Sequence, residues 1–108
     1  MPLYLTKFAM TAEAWSKCIK QPEDRRKEVA RLLEGAGGKL HGYWYAFGDH
    51  DGYVLIESPD NTAVASALMT VAGSGAFTSV STTVLMTVEE ALEAVRQAKD
   101  ITYRPPGG

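Results

Sequence analysis

Apolar positions along the chain switch between a period of two and a period of three to four, and the switches outline the fold. In Leu3–Ala9, Leu3, Leu5 and Ala9 share one parity with Lys7, while Tyr4, Thr6 and Phe8 share the other. Both faces are partly apolar, as in a strand covered on two sides. Thr11 then offers a helix N-cap, with Glu13 in the first turn where a carboxylate suits the helix dipole. Ala14, Trp15, Cys18 and Ile19 fall at helical spacing. Proline is tolerated only in a helix's first turn, so the spacing predicts a break near Lys20–Gln21 and a second helix starting at Pro22. Val29, Leu32, Leu33 and Ala36 form its buried stripe, and the glycines among residues 35–38 end it.

Lys39–Phe47 and Tyr53–Ser58 read as strands around a loop of five residues, Gly48 to Gly52, which is a hairpin. This hairpin is expected to join the two central strands of the sheet. Ser58-Pro59-Asp60 opens a helix over Thr62–Val71, and Gly73-Ser74-Gly75 breaks it. Ala76–Thr87 is a fourth strand, with Val80, Thr82, Val84 and Met86 on one face and Phe77, Ser79, Ser81, Thr83 and Leu85 on the other. Thr87 and Glu90 have capping-box spacing and open a last helix carrying Ala91, Leu92, Val95 and Ala98. The order strand–helix–strand–strand–helix–strand is the α+β, ferredoxin-like βαββαβ arrangement, here with an additional C-terminal helix. It predicts a four-stranded antiparallel sheet with both internal helices on one face. Residues 1–100 form a single domain and 101–108 an extended or mobile tail. The bare sheet face is expected to pack on a second copy, giving a dimer or a larger homo-oligomer.

Composition narrows the function classes. Hydrophobic residues are 45% and charged residues 22% of the 108, the balance of an ordinary globular domain rather than a disordered chain. A net charge of −2 offers no basic surface, so neither nucleic acid nor membrane is an expected partner. The lone Cys18 cannot form an internal disulfide, and MPLYLTKFAM is too polar for a signal peptide, which favours a cytoplasmic protein. No P-loop, G-x-G-x-x-G, G-x-S-x-G or H-E-x-x-H motif occurs.

Three groups of residues could carry chemistry. His50 between Asp49 and Asp51 could be an acid–base near neutral pH, because carboxylates favour the charged imidazole. The competing reading is a solvated turn whose aspartates bond their own backbone. His41, Tyr43 and Tyr45 share one strand face by parity, with Lys39 and Phe47. They could line a pocket, or fill a core or interface with their hydroxyls bonded at its edge. Trp44, on the other parity, reads as plain core. Glu57, a charge in an apolar strand, could pair with Arg25, or Arg25 could hold a ligand carboxylate. Cys18 reads as a buried small hydrophobe, since no neighbouring base would activate it. No recognised metal-ligand spacing is present, and no metal or other cofactor is expected.

Beyond these local readings, Gly37–Asp60 resembles the GYD-domain family. The residues are Gly37-Gly38, Tyr43-Trp44-Tyr45, Gly48 with Asp51, Val54-Leu55-Ile56 and Glu57-Ser58-Pro59-Asp60. Pro22-Glu23-Asp24-Arg25 and Ser81-Thr82-Thr83 extend the likeness to roughly residues 3–90. The resemblance implies a fold of the dimeric α+β-barrel superfamily. Its wider membership includes cofactor-free monooxygenases, lactone isomerases, polyketide cyclases and haem-handling enzymes. One departure is His50, which stands where the family places an aromatic, usually tyrosine.

The expected function is binding of a small organic molecule between sheet and helices. Any chemistry would be cofactor-independent proton transfer, with His50 or His41 as acid–base and Tyr43 stabilising a developing oxyanion. Tyr45, Arg25, Asp51 and Glu57 are the candidate ligand contacts. The rival reading is a non-catalytic sensor or self-assembling module. A third is haem binding through the histidines and Trp44. A cavity of about 300 Å³ or more with converging polar groups favours the first reading.

Overall fold

The computed structural model describes residues 1–107; Gly108, the end of the expected tail, lies outside them. In chain order the elements are β1 (Leu3–Met10), α1 (Ala12–Lys20), α2 (Arg26–Gly35), β2 (Lys39–Tyr45), β3 (Gly52–Glu57), α3 (Asn61–Ala72), β4 (Phe77–Leu85) and α4 (Val88–Ala98). Ile101–Gly107 form neither helix nor strand. The four strands make one antiparallel sheet in the order β2-β3-β1-β4. This is the expected ferredoxin-like arrangement, with one correction. The hairpin joins an edge strand, β2, to a central one, β3, and the central pair is β1 and β3. Because β3 runs antiparallel to both β1 and β2, it slots between those two parallel strands and satisfies the backbone of each.

Local chemistry sets most helix starts. The Thr11 and Asp60 side chains accept from the Ala14 and Ala63 amides at 3.1 and 2.8 Å. Thr87 and Glu90 close the full capping box, at 3.0 and 3.1 Å. The second helix starts later than its proline predicts. Arg25 is the N-cap position, Asp24 Oδ1 accepts from the Arg26 amide at 3.0 Å in the turn before it, and the helix starts at Arg26, leaving Pro22–Asp24 outside.

The core lies between the sheet and the α2/α3 layer. Tyr4, Phe8, Leu33, Val54, Ile56, Val64 and Ala67 are buried there. Tyr4 Oη donates to Asn61 Oδ1 at 2.8 Å, and the Thr6 and Thr82 hydroxyls meet at 2.7 Å, so the buried polar atoms are partnered. Gly52 admits the Phe8 ring, since a Cβ there would fall 2.3 Å from it.

Two β-bulges re-aim side chains. Leu40 pairs with Ile56 and Gly42 with Leu55, so His41 is the extra residue of β2. Met10 pairs with Phe77 and Ala9 with Ser79, leaving Thr78 as the extra residue of β4. One inserted residue inverts the parity beyond it. Tyr43 and Tyr45 therefore turn to the helix side, opposite Val54 and Gly52, while His41 and Lys39 stay on the open face. Phe77 likewise joins Val80 on the helix side. The expectation that His41, Tyr43 and Tyr45 share a face is corrected by the first bulge, and the placement of Phe77 with the serines by the second.

The open face stays uncovered within the chain. The molecule measures 59 × 33 × 22 Å, and its thin axis is about one sheet plus one helix layer. Trp44 lies on that open face and is 53% exposed, which corrects its reading as core. Its ring folds back over Gly42, where a Cβ would come within 2.3 Å of it. The helix α4 buries none of its residues and leaves Val88, Leu92 and Val95 exposed. Among the described residues no helix is long and apolar enough to cross a membrane.

Candidate functional site

A half-open cavity of about 550 Å³ lies between the helix-side face of the sheet and the helices. Phe8, Tyr43, Val54, Phe77 and Val80 contribute to its floor, and α1, α2 and α3 enclose it from above. The Phe8 ring meets Tyr43 and Phe77 edge-on, with centroids 5.8 and 5.4 Å apart. Such T-shaped contacts suit the ring quadrupoles and leave flat aromatic walls.

The loose seating of α1 opens this space. None of its residues is buried, and Ile19 is 76% exposed. Ala14 and Cys18 look into the cavity, Cys18 half-buried rather than fully so. The expected stripe of Ala14, Trp15, Cys18 and Ile19 is therefore only partly turned inward. Trp15 packs beside Tyr45 at 6.2 Å between ring centroids.

Polar groups interrupt the apolar lining. Tyr43 Oη donates to Tyr45 Oη across 3.5 Å, and Arg25, Cys18, Gln21 and Lys17 lie around the same cavity. Burial, and then the bond to Tyr45, push the Tyr43 phenol well above the ordinary tyrosine value, while the Arg25 charge pulls the other way. Tyr43 is thus a neutral hydrogen-bond donor throughout the physiological range.

The structure divides the candidate residues into two sets. Tyr43, Tyr45 and Arg25 line the cavity together. His41, His50, Asp51 and Glu57 lie outside its lining. The proposed Arg25–Glu57 pair does not form, because Glu57 stands on the open face of the sheet. Glu57 Oε1 accepts instead from His41 Nε2 at 2.9 Å, and this bond, as the first cause, holds the Glu57 carboxyl below its usual range. Arg25 pairs with Glu23. Asp51 clasps structure: its carboxylate accepts from the Met10 amide at 2.7 Å and from Trp15 Nε1 at 3.4 Å. Its own amide donates to the Phe8 carbonyl at 2.7 Å. His50 sits half-buried on the hairpin loop with its ring 6.5 Å from that of Tyr53. Phe8 and Phe77 were missed as cavity walls. Gly52, at the start of β3, leaves room for the Phe8 ring but reads in the sequence as a turn glycine, and nothing local marks the bulge that turns Phe77.

The chain belongs to the GYD-domain family: the family model described as GYD domain matches residues 4–95. No curated protein matches the sequence. Among solved structures, FFRP-DM1 is similar with a TM-score of 0.53 at 13% identity, over 80% of this chain and 100% of that one. MtbAldR is similar with a TM-score of 0.58 at 10% identity, over 80% of this chain and 53% of that one, so the match spans about half of MtbAldR. The hypothetical protein PHS023 from Pyrococcus horikoshii gives a TM-score of 0.52 at 12% identity, over 81% of this chain and 92% of that one. At these identities the likeness is one of fold.

Proposed function

We propose that the protein binds a small, largely apolar organic molecule in the cavity between sheet and helices, with Tyr43 and Tyr45 supplying polar contacts. The observation that supports this most directly is the cavity itself. At about 550 Å³ it lies within the ~300–1,000 Å³ range of small-molecule sites, with apolar walls and converging hydroxyls. Any proton chemistry there falls to groups other than the histidines, which lie outside the lining. A neutral Tyr43 is suited to donating a hydrogen bond to a developing oxyanion, not to abstracting a proton.

The test uses phenylnaphthylamine, a neutral apolar probe whose fluorescence rises on leaving water. Cys18→Trp places a ring inside the cavity and is expected to abolish the fluorescence gain. His50→Ala changes a loop residue outside the lining and is expected to leave both folding and probe binding as they are. Undiminished probe binding by Cys18→Trp sinks the cavity reading.

A second reading concerns assembly, and the uncovered apolar surface favours it. Met86, Val88, Val95 and Ile101 are each more than 60% exposed, and Trp44 stands on the open sheet face. A second copy packed on the sheet face would cover Trp44 and its neighbours with twofold closure. Native mass spectrometry of the full chain is expected to give a multiple of 11.7 kDa; a monomer at micromolar concentration refutes assembly.

A further inference from the structure

We infer that the molecule this cavity takes is an organic carboxylate with a flat apolar body, its head held by Arg25 and by the hydroxyls of Tyr43 and Tyr45. The inference rests on the cavity reading above and adds the class of ligand.

Arg25 is placed for this. It lines the cavity and its side chain is 44% exposed, so it spans from the rim inward, and its charge is felt at the Tyr43 phenol. Its carboxylate partner, Glu23, lies two residues away in the chain and is 57% exposed. Such local surface pairs are worth only about 0–1 kcal/mol, so a ligand carboxylate competes with Glu23 on easy terms. The guanidinium has five donors in a planar fork that matches a carboxylate.

The tyrosine pair points the same way. Its two oxygens are 3.5 Å apart, at the outer limit of a hydrogen bond. Good O–H···O bonds are about 2.7–2.8 Å long, so the pair bonds itself poorly and an acceptor oxygen placed between them receives two donors. Burial keeps Tyr43 protonated, and hence a donor, well above neutral pH.

The charged lining residues are Arg25 and Lys17 on the positive side and Glu23 and Glu28 on the negative, each with a partner in the chain. Lys17 is a second positive group, held by exposed Glu13 at 3.4 Å. Glu28, the other carboxylate of the lining, is bound by Arg31 at 2.6 Å, and that arginine is not part of the lining. An amine would meet Arg25 and Lys17 together with Glu23 and Glu28, carboxylates already paired with Arg25 and Arg31, while a neutral amide would leave Arg25 with Glu23. The edge-to-face rings of Phe8, Tyr43 and Phe77 favour a ring over an alkyl chain as the ligand body.

The experiment compares naphthoate with naphthamide, which has the same shape without the charge, by calorimetric titration of the full chain. Naphthoate is expected to bind at least about tenfold more tightly, the usual worth of a charge-assisted hydrogen bond. In Arg25→Met the two probes are expected to bind alike. In Glu23→Gln, which removes the competing carboxylate, naphthoate is expected to bind several-fold more tightly. Equal binding of the two probes by the native chain overturns the carboxylate class and leaves the cavity standing. A preference that survives in Arg25→Met overturns the role of Arg25. If naphthoate, naphthamide and phenylnaphthylamine all fail to bind, the cavity reading falls with it. An octanoate arm separates ring from chain, since octanoate binding more tightly than naphthoate overturns the flat body.

Discussion

The two faces of the sheet both carry large apolar side chains and have opposite fates. On the helix side, Tyr4, Phe8, Val54 and Ile56 are each less than 10% exposed. On the other side, Leu3, Leu5, Tyr53 and Leu55 are half-buried by their strand neighbours alone, and Trp44 stands out in solvent. Large apolar residues occur at both parities, although the strand charges Lys7, Lys39 and Glu57 all fall on the open face. The helices rank the faces, because both crossovers of the split βαβ unit deposit α2 and α3 on one side. An apolar strand face becomes core only when something covers it.

Adjacent residues offer the sharpest way to break this comparison. Ile56→Ala removes a side chain that is 3% exposed and is expected to cost about 2–5 kcal/mol in urea unfolding. Leu55→Ala, one residue earlier on the open face, is expected to cost under ~1 kcal/mol in a monomer. A large and concentration-dependent cost for Leu55→Ala would mean that a second copy covers the face.

A smaller effect separates structure from function at the hairpin. Asp51→Ala leaves the Met10 amide without its acceptor and frees Trp15, and is expected to cost about 1–2 kcal/mol of stability. Intact stability together with altered ligand binding would return Asp51 to the list of binding residues.

The mildest test is one of pH, and it probes the open face alone. The folded-state pKa of Glu57 is depressed by the bond from His41, so its stabilisation is fully present above the ordinary glutamate value of 4.5. It is lost as pH falls through the lower, folded value. The melting temperature of Glu57→Gln is therefore expected to lie below that of the native chain at neutral pH. The difference is expected to close as the solution is acidified below 4.5. A gap that stays constant with pH removes the ionised bond as its cause.

Much of the fold was legible because its signals are local. Thr11, Asp60 and Thr87 cap helices through neighbouring amides, and glycines mark the turns. Alternation gives the strands to within two residues at either end. The site was half legible. Tyr43, Tyr45 and Arg25 line one cavity, but parity puts His41 in their company, and parity holds only while pairing is unbroken. The same fault put Phe77 among the serines of β4. Trp44 looked like core because an indole in a strand usually is, yet its face has no cover.

The sequence by itself determined the order of elements, the ferredoxin-like class and the places where the chain turns, since each rests on contacts within a few residues. Tertiary structure decided which face is inside and which aromatic rings line the cavity. A bulge is an event between two strands: the extra residue, His41 or Thr78, is extra only with respect to a partner far along the chain. That cross-strand register brings Tyr43 and Phe77 beside Phe8, with Tyr45 next to Tyr43, and it is invisible to any reading of one strand at a time.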